Sequence, residues 1–438
     1  MIQTAAQDFG PVHNGKIQVS KVIDDLRLVT YDMPEARSVA LGVFVGVGSR
    51  DEDGRLSGAS HLLEHLVFKG TAEMTARQIA ISMDLMGGES NGFTSRESTY
   101  FYVRVLPEDL AEAAGILFGM LSMPILRQSD LDSERQVVLD EIAMNMDSPH
   151  DVCAQRCQEA LFPGHPLGNE VSGTAGSVEA IDAEMLRDWF DSYYRCSNII
   201  IAAAGALDHE QLAPLVERWF GHREGGKSPQ RTPPSKDQIP LVVTRRDTEQ
   251  ASMEITFRGF SRHDKDRWSA EVLDQIVGGS MSSRLFQEIR EQRGLAYSVW
   301  SDANRYDDTG SFSISAGCAP SNLMEVLNLS GAILADVATN GVTDEEINLA
   351  KKHLRSGLLL SQEHSVSRMA AIGSSLLHYG RVIEIDEILS NVDAVSADDV
   401  ARVASVLSSS PMTLSVVGPF DEDALSGWSG GDLYGALS

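Results

Sequence analysis

His61-Leu62-Leu63-Glu64-His65 sets two imidazoles and a carboxylate within one short segment. On a helix, His61 and His65 lie one turn apart, so both rings can point at a single ion. Glu64 stands between them on the same side. Neutral imidazoles suit the borderline-soft zinc ion. A carboxylate that stays off the metal can take a proton from activated water and pass it to a leaving amine. The order His-x-x-Glu-His reverses the His-Glu-x-x-His zinc motif. Its neighbours Leu62, Leu63, Leu66, Val67 and Phe68 are apolar. Two histidines and a carboxylate without partners would be costly to bury among them.

A zinc site that performs chemistry needs a third protein ligand and an open position. The segment SERQVVLDEIAMN offers Glu134 and Glu141, seven residues apart and therefore on one helical face, whereas Asp140 falls on another. Spacing leaves both glutamates able to reach the ion.

The elements that position these residues read as a duplication. VALGVFVGVGSR (39–50) and ASMEITFRGFSR (251–262) are apolar strands with the same ending, and NIIIAAAGALD (198–208) resembles PMTLSVVGPFD (411–421). Ser49 maps to Ser261 at an offset of 212, and Gly205 to Gly418 at 213, so the match is collinear. TYFYVRV (99–105) reads as a strand, Pro107–Ser122 as a helix, and Ser129–Asn145 as a long helix with Ser129 or Asp130 as N-cap. Residues 221–240, rich in Gly, Pro and charge, read as a linker. The expected fold is α+β: two homologous α/β-sandwich domains, 1–220 and 241–438, each a mostly antiparallel sheet with helices packed on it. In the second copy His61, Glu64 and His65 correspond to Leu273, Ile276 and Val277, so only the first half is expected to hold metal.

Composition narrows the function. The 438 residues carry a net charge of −27, which disfavours nucleic acid and anionic membrane as partners. No run approaches the ~18 apolar residues of a spanning helix. Met1–Lys16 has neither a basic and apolar secretory leader nor an Arg-rich transit pattern, so a cytoplasmic protein is expected. Cys153 and Cys157, at i,i+4, read as core residues. His165 reads as a loop residue.

Together these residues resemble the pitrilysin-type (inverzincin) metalloproteases, in the half-length group that includes the mitochondrial processing peptidase β subunit and bacterial relatives. The resemblance is carried by VGSRDEDGRLSGASHLLEHLVFKGT ending at Thr71, ESNGFTSRESTYFYVRV (89–105), ERQVVLDEI (134–142) and GGSMSSRLFQEIREQRGLAYSVWS (278–301). It implies a metalloendopeptidase with one zinc ion per chain. The implied ligands are His61, His65 and a glutamate 76 residues after His65, which is Glu141. It also implies Glu64 as general base and Glu134 as a residue orienting a ligand. Asn91, Gly92, Phe93 and Thr94 resemble the strand that receives an extended peptide on its edge. Gly92 stands where relatives often have Ala. Arg290 and Tyr297 resemble an Arg and Tyr that contact substrate opposite the metal. The implied partners are peptide substrates and a second copy forming a homodimer with composite active sites, and the surplus of acid suits basic or presequence-like peptides. The alternative is a peptide-binding or scaffold subunit active only in a hetero-oligomer.

Overall fold

The computed structural model describes residues 16–425 except Asp24, Glu224 and Lys227. The outer ends of the two halves, 1–15 and 426–438, lie outside the described residues, as does the leader reading made on the first of them.

β-branched and aromatic runs form two sheets. The first contains β1 (Ile17–Ile23), β2 (Leu26–Asp32), β3 (Val39–Val45), β4 (Glu89–Thr94), β5 (Thr99–Val105) and β6 (Ile199–Gly205), in the order β1-β2-β6-β3-β5-β4. The second contains β7 (Leu241–Arg245), β8 (Ala251–Gly259), β9 (Ala296–Arg305), β10 (Gly310–Cys318) and β11 (Met412–Gly418), in the order β7-β11-β8-β10-β9. Each is antiparallel except for one parallel pair, β2 with β6 and β7 with β11. The second sheet repeats the first strand for strand, without a counterpart of β1 among the described residues. The two sequence anchors of the repeat, β3 with β6 and β8 with β11, are hydrogen-bonded neighbours in their sheets. The α+β duplication read from the sequence is the architecture observed.

Helices α1 (Ala59–Val67), α2 (Ala76–Leu85), α3 (Leu110–Ser122), α4 (Gln128–Asp147) and α5 (Pro149–Leu161) follow in the first half. α4 begins at Gln128 with Arg127 at its N-cap, so neither Ser129 nor Asp130 caps it. The reason is local. Buried Leu126 takes a left-handed backbone (φ 47°) that turns the chain ahead of the helix, and the Asp130 carboxylate meets Arg127 Nη1 at 3.3 Å instead of a backbone amide.

The halves exchange helices. β3, β6 and β11 are buried along their whole length, so each sheet needs cover on both faces. Helix Ser365–Tyr379 of the second half lays Met369, Ile372 and Leu376 on Phe44 and Ile200 of the first sheet. In return α5 packs on β8 and β11, with Cys153 against Ser415 and Cys157 against Thr256. Both thiols are buried core residues, and burial raises their pKa well above the ordinary thiol value. Burying each large apolar side chain contributes on the order of 1.5–3 kcal/mol, so neither sheet could keep its second cover alone. The described residues of the 221–240 segment form no helix or strand, but the segment is anchored. Arg223 donates to the carbonyls of Ser122 and Tyr194, and Arg231 grips Asp51 at 2.8 and 2.9 Å.

Candidate metal centre

α1 buries Leu62, Leu63, Leu66 and Val67 against the first sheet, which turns His61, Glu64 and His65 toward the opposite, partly open side. Gly58, at the N-cap, has no side chain to cap with. The buried Glu52 carboxylate does so from upstream, accepting the backbone N–H of Gly58 (2.8 Å) and of Ser60 (2.7 Å). Burial nevertheless raises the Glu52 pKa to about 7, against the pull of those two bonds.

α4 crosses beside α1 and brings both glutamates to the imidazoles. Glu141 Oε2 lies 3.7 Å from His61 Nε2 and 3.7 Å from His65 Nε2. These three residues are the one set of His, Cys, Asp or Glu found converging for a metal among the described residues, with ligand atoms within 4.8 Å of each other. Glu134 does something different. Its Oε2 sits 3.1 Å from His65 Nδ1, and its Oε1 2.5 Å from Lys69 Nζ. It therefore holds the far side of the ring and leaves Nε2 turned toward Glu141. Geometry separates two glutamates that spacing left equal.

The donor set fits zinc. Burial and the neighbouring His65 lower the His61 pKa to about 4, so its ring is neutral and its lone pair available at neutral pH. Two imidazoles and one carboxylate leave a tetrahedral site with one open position. Glu64 stays off this triangle. Thr94 Oγ1 donates to Glu64 Oε2 at 2.5 Å, and burial raises the Glu64 pKa despite that bond. In the second half, Leu273, Ile276 and Val277 are buried core residues, as the repeat predicted.

Among the described residues β4 is an edge strand, paired only with β5. Asn91 and Phe93 are exposed, and the Asn91 side-chain carbonyl accepts the Gly92 N–H at 2.9 Å. Gly92 faces Glu64 so closely that a Cβ there would lie 2.7 Å from Glu64 Cγ. Arg290 lies on a π-helical segment, Phe286–Gln292, with its guanidinium 5.6 Å from the Tyr297 ring centre. Tyr297 is 75% exposed on the edge strand β9. Among the described residues, neither has a hydrogen bond, ion pair or ring contact with His61, Glu64, His65 or Glu141. His165 is a loop residue, its Nδ1 accepting the Leu167 N–H and its Nε2 3.0 Å from the Thr232 carbonyl.

Residues 27–175 match the family model described as "Insulinase (Peptidase family M16)", and residues 180–354 match "Peptidase M16 inactive domain". The chain belongs to peptidase family M16. A Streptomyces coelicolor protein named as an uncharacterized zinc protease is 37% identical over 94% of this chain and 92% of its own length. A Mycobacterium tuberculosis protein of the same description is 39% identical (90% and 91%), and a Bacillus subtilis one 34% identical (90% and 96%). The fold is shared with a crystal structure titled as a peptidase M16 inactive domain from Pseudomonas fluorescens (TM-score 0.86, 19% identity, 93% and 98% covered). It is shared also with that of a Helicobacter pylori protease (TM-score 0.84, 20% identity, 92% and 99% covered).

Three contacts of this M16 site were not read from sequence: the Glu52 cap, the Thr94 bond to Glu64, and Lys69 on Glu134. Only Lys69, four residues after His65, had a spacing that could have drawn attention to it. Because Glu134 fixes a ligand ring, Glu134→Gln should weaken zinc binding about 10- to 100-fold. Competition with a chelator of known affinity measures this, and unchanged affinity would leave Glu134 with no part in the centre.

Proposed function

We propose that this M16 chain is a zinc-dependent endopeptidase acting on extended, unstructured peptides. The observation that carries this is the convergence of His61, His65 and Glu141, with Glu64 beside them but outside the triangle. His61, His65 and Glu141 would hold a zinc ion, which would supply the Lewis acidity that activates water. Glu64 accepts the proton as general base and returns it to the leaving amine. Thr94 orients the carboxylate. The free edge of β4 takes the peptide as an added strand, so backbone hydrogen bonds hold it whatever its side chains. Gly92 lets that edge pass directly over Glu64.

A preference for basic peptides is part of the proposal. A cleft of about 480 Å³ opens next to Asn145, one helical turn beyond Glu141, and its charged lining is Asp151, Glu170, Glu254 and Asp302 against Arg96, with His150 beside them. With a net charge of −27, such a cleft concentrates cationic chains at low salt. We propose further that two copies pair, so that Arg290 and the exposed Tyr297 of one copy meet the peptide held at the other copy's zinc centre. Tyr297 would then donate to the developing oxyanion.

The test uses the purified chain, a quenched-fluorescent peptide and metal analysis. Cleavage should disappear with chelator, return with zinc, and be faster for a basic than a neutral peptide, with the gap closing as salt rises. A chain carrying stoichiometric zinc that cleaves no peptide would remove the peptidase reading.

A further inference from the structure

Glu97 lies in the turn between β4 and β5, and its side chain is 3% exposed. Burying a lone carboxylate there would be costly, and this one is surrounded by donors. Its Oε1 meets Arg50 Nη1 at 2.6 Å, and its Oε2 meets the guanidinium of Arg262. Both oxygens lie 3.1 Å from the backbone N–H of Asp307, and the Glu97 carbonyl accepts from Arg231 Nη2 at 2.7 Å. Arg50 also reaches Asp308 at 2.6 Å, and Arg231 reaches Asp51 and Asp307.

These partners come from three places. Arg50 and Asp51 belong to the segment that leads through Glu52 into α1. Arg231 comes from the segment joining the halves, and Arg262, Asp307 and Asp308 from the second half. The turn itself is tied to the same leading segment by backbone bonds, Ser49 N–H to the Ser95 carbonyl (3.2 Å) and Arg50 N–H to the Arg96 carbonyl (2.8 Å). Three residues before Glu97 stands Thr94, whose hydroxyl holds Glu64.

We propose that Glu97 is a positioning residue for the metal centre. It locks the β4–β5 turn to both halves and so fixes Thr94, and through it the Glu64 carboxylate, against α1. The inference rests on the peptidase reading, since it assigns Glu97 the placement of that reading's general base. It also gives the second half a direct part in the site although it supplies no metal ligand. A displacement of about 1 Å in a catalytic group can cost on the order of 100-fold in rate.

The test compares wild type with Glu97→Gln, which keeps the shape and removes the charge, and with Arg262→Gln, which cuts only the arm from the second half. Zinc content, kcat, KM, melting temperature and mass-spectrometric hydrogen exchange over residues 46–52 and 93–98 are measured for each. Glu97→Gln should keep its zinc and a KM within about twofold of wild type, lose about 10- to 100-fold in kcat, and exchange faster in both segments. Arg262→Gln should show the same pattern at smaller size, and it stands in for Glu97→Gln if that variant does not fold. Unchanged exchange in those segments overturns the inference. So does unchanged kcat, or a loss of kcat that only follows lost zinc. A wild type that cleaves while both variants cleave equally removes this inference alone, whereas a zinc-loaded wild type that cleaves nothing removes the peptidase reading and this inference with it.

Discussion

Glu64→Gln should keep one zinc per chain and lose peptide cleavage by about 100- to 10,000-fold, the usual contribution of a positioned general base. That corresponds to roughly 3–5 kcal/mol in the barrier. The expectation follows from where Glu64 stands. It shares α1 with both imidazoles yet is held by Thr94 rather than by the Glu141 triangle. Glutamine has nearly the same shape and can still receive the Thr94 hydroxyl on its amide oxygen, so peptide binding on β4 and metal binding should both persist. The loss should therefore appear in kcat with KM little changed. Normal turnover by this variant, measured with the same quenched-fluorescent peptide, would end the proposed mechanism.

His65→Ala should have the largest effect on the metal itself. It would remove one of the three proposed protein ligands and strand the Glu134–Lys69 pair that meets its ring. Zinc content is expected to drop from one per chain to below ~0.1 after dialysis, and cleavage to background. Stability supplies a readout independent of catalysis. A metal that binds only the folded chain, present at about 1,000 times its Kd, stabilises it by roughly 4 kcal/mol. Chelator should lower the melting temperature of wild type and leave that of His65→Ala unmoved. A variant that kept stoichiometric zinc, or a wild type indifferent to chelator, would show that His61, His65 and Glu141 are not the metal site.

Much of this protein was determined by the sequence by itself. His61, Glu64 and His65 were legible because a helix repeats every 3.6 residues, so their spacing alone sets them on one side of α1. The duplication was legible because the strands that anchor it, β3 with β6 and β8 with β11, pair inside their sheets and are wholly or mostly buried, and their apolar runs survive in both copies. The family resemblance then selected Glu141 over Glu134, a choice the periodicity of α4 could not make.

Only the tertiary structure showed why those two glutamates differ. They lie on one face of one helix, but α4 crosses α1 so that Glu141 faces both Nε2 atoms while Glu134 meets His65 from behind. A crossing geometry is set by side-chain packing between elements, which no local spacing encodes. The same holds for the exchanged helices and for Glu97, whose partners Arg231, Arg262 and Asp307 are between 134 and 210 residues away along the chain. Periodicity reports which face of an element is buried. Which distant element covers that face, and which charge meets which, is decided when the two halves pack together.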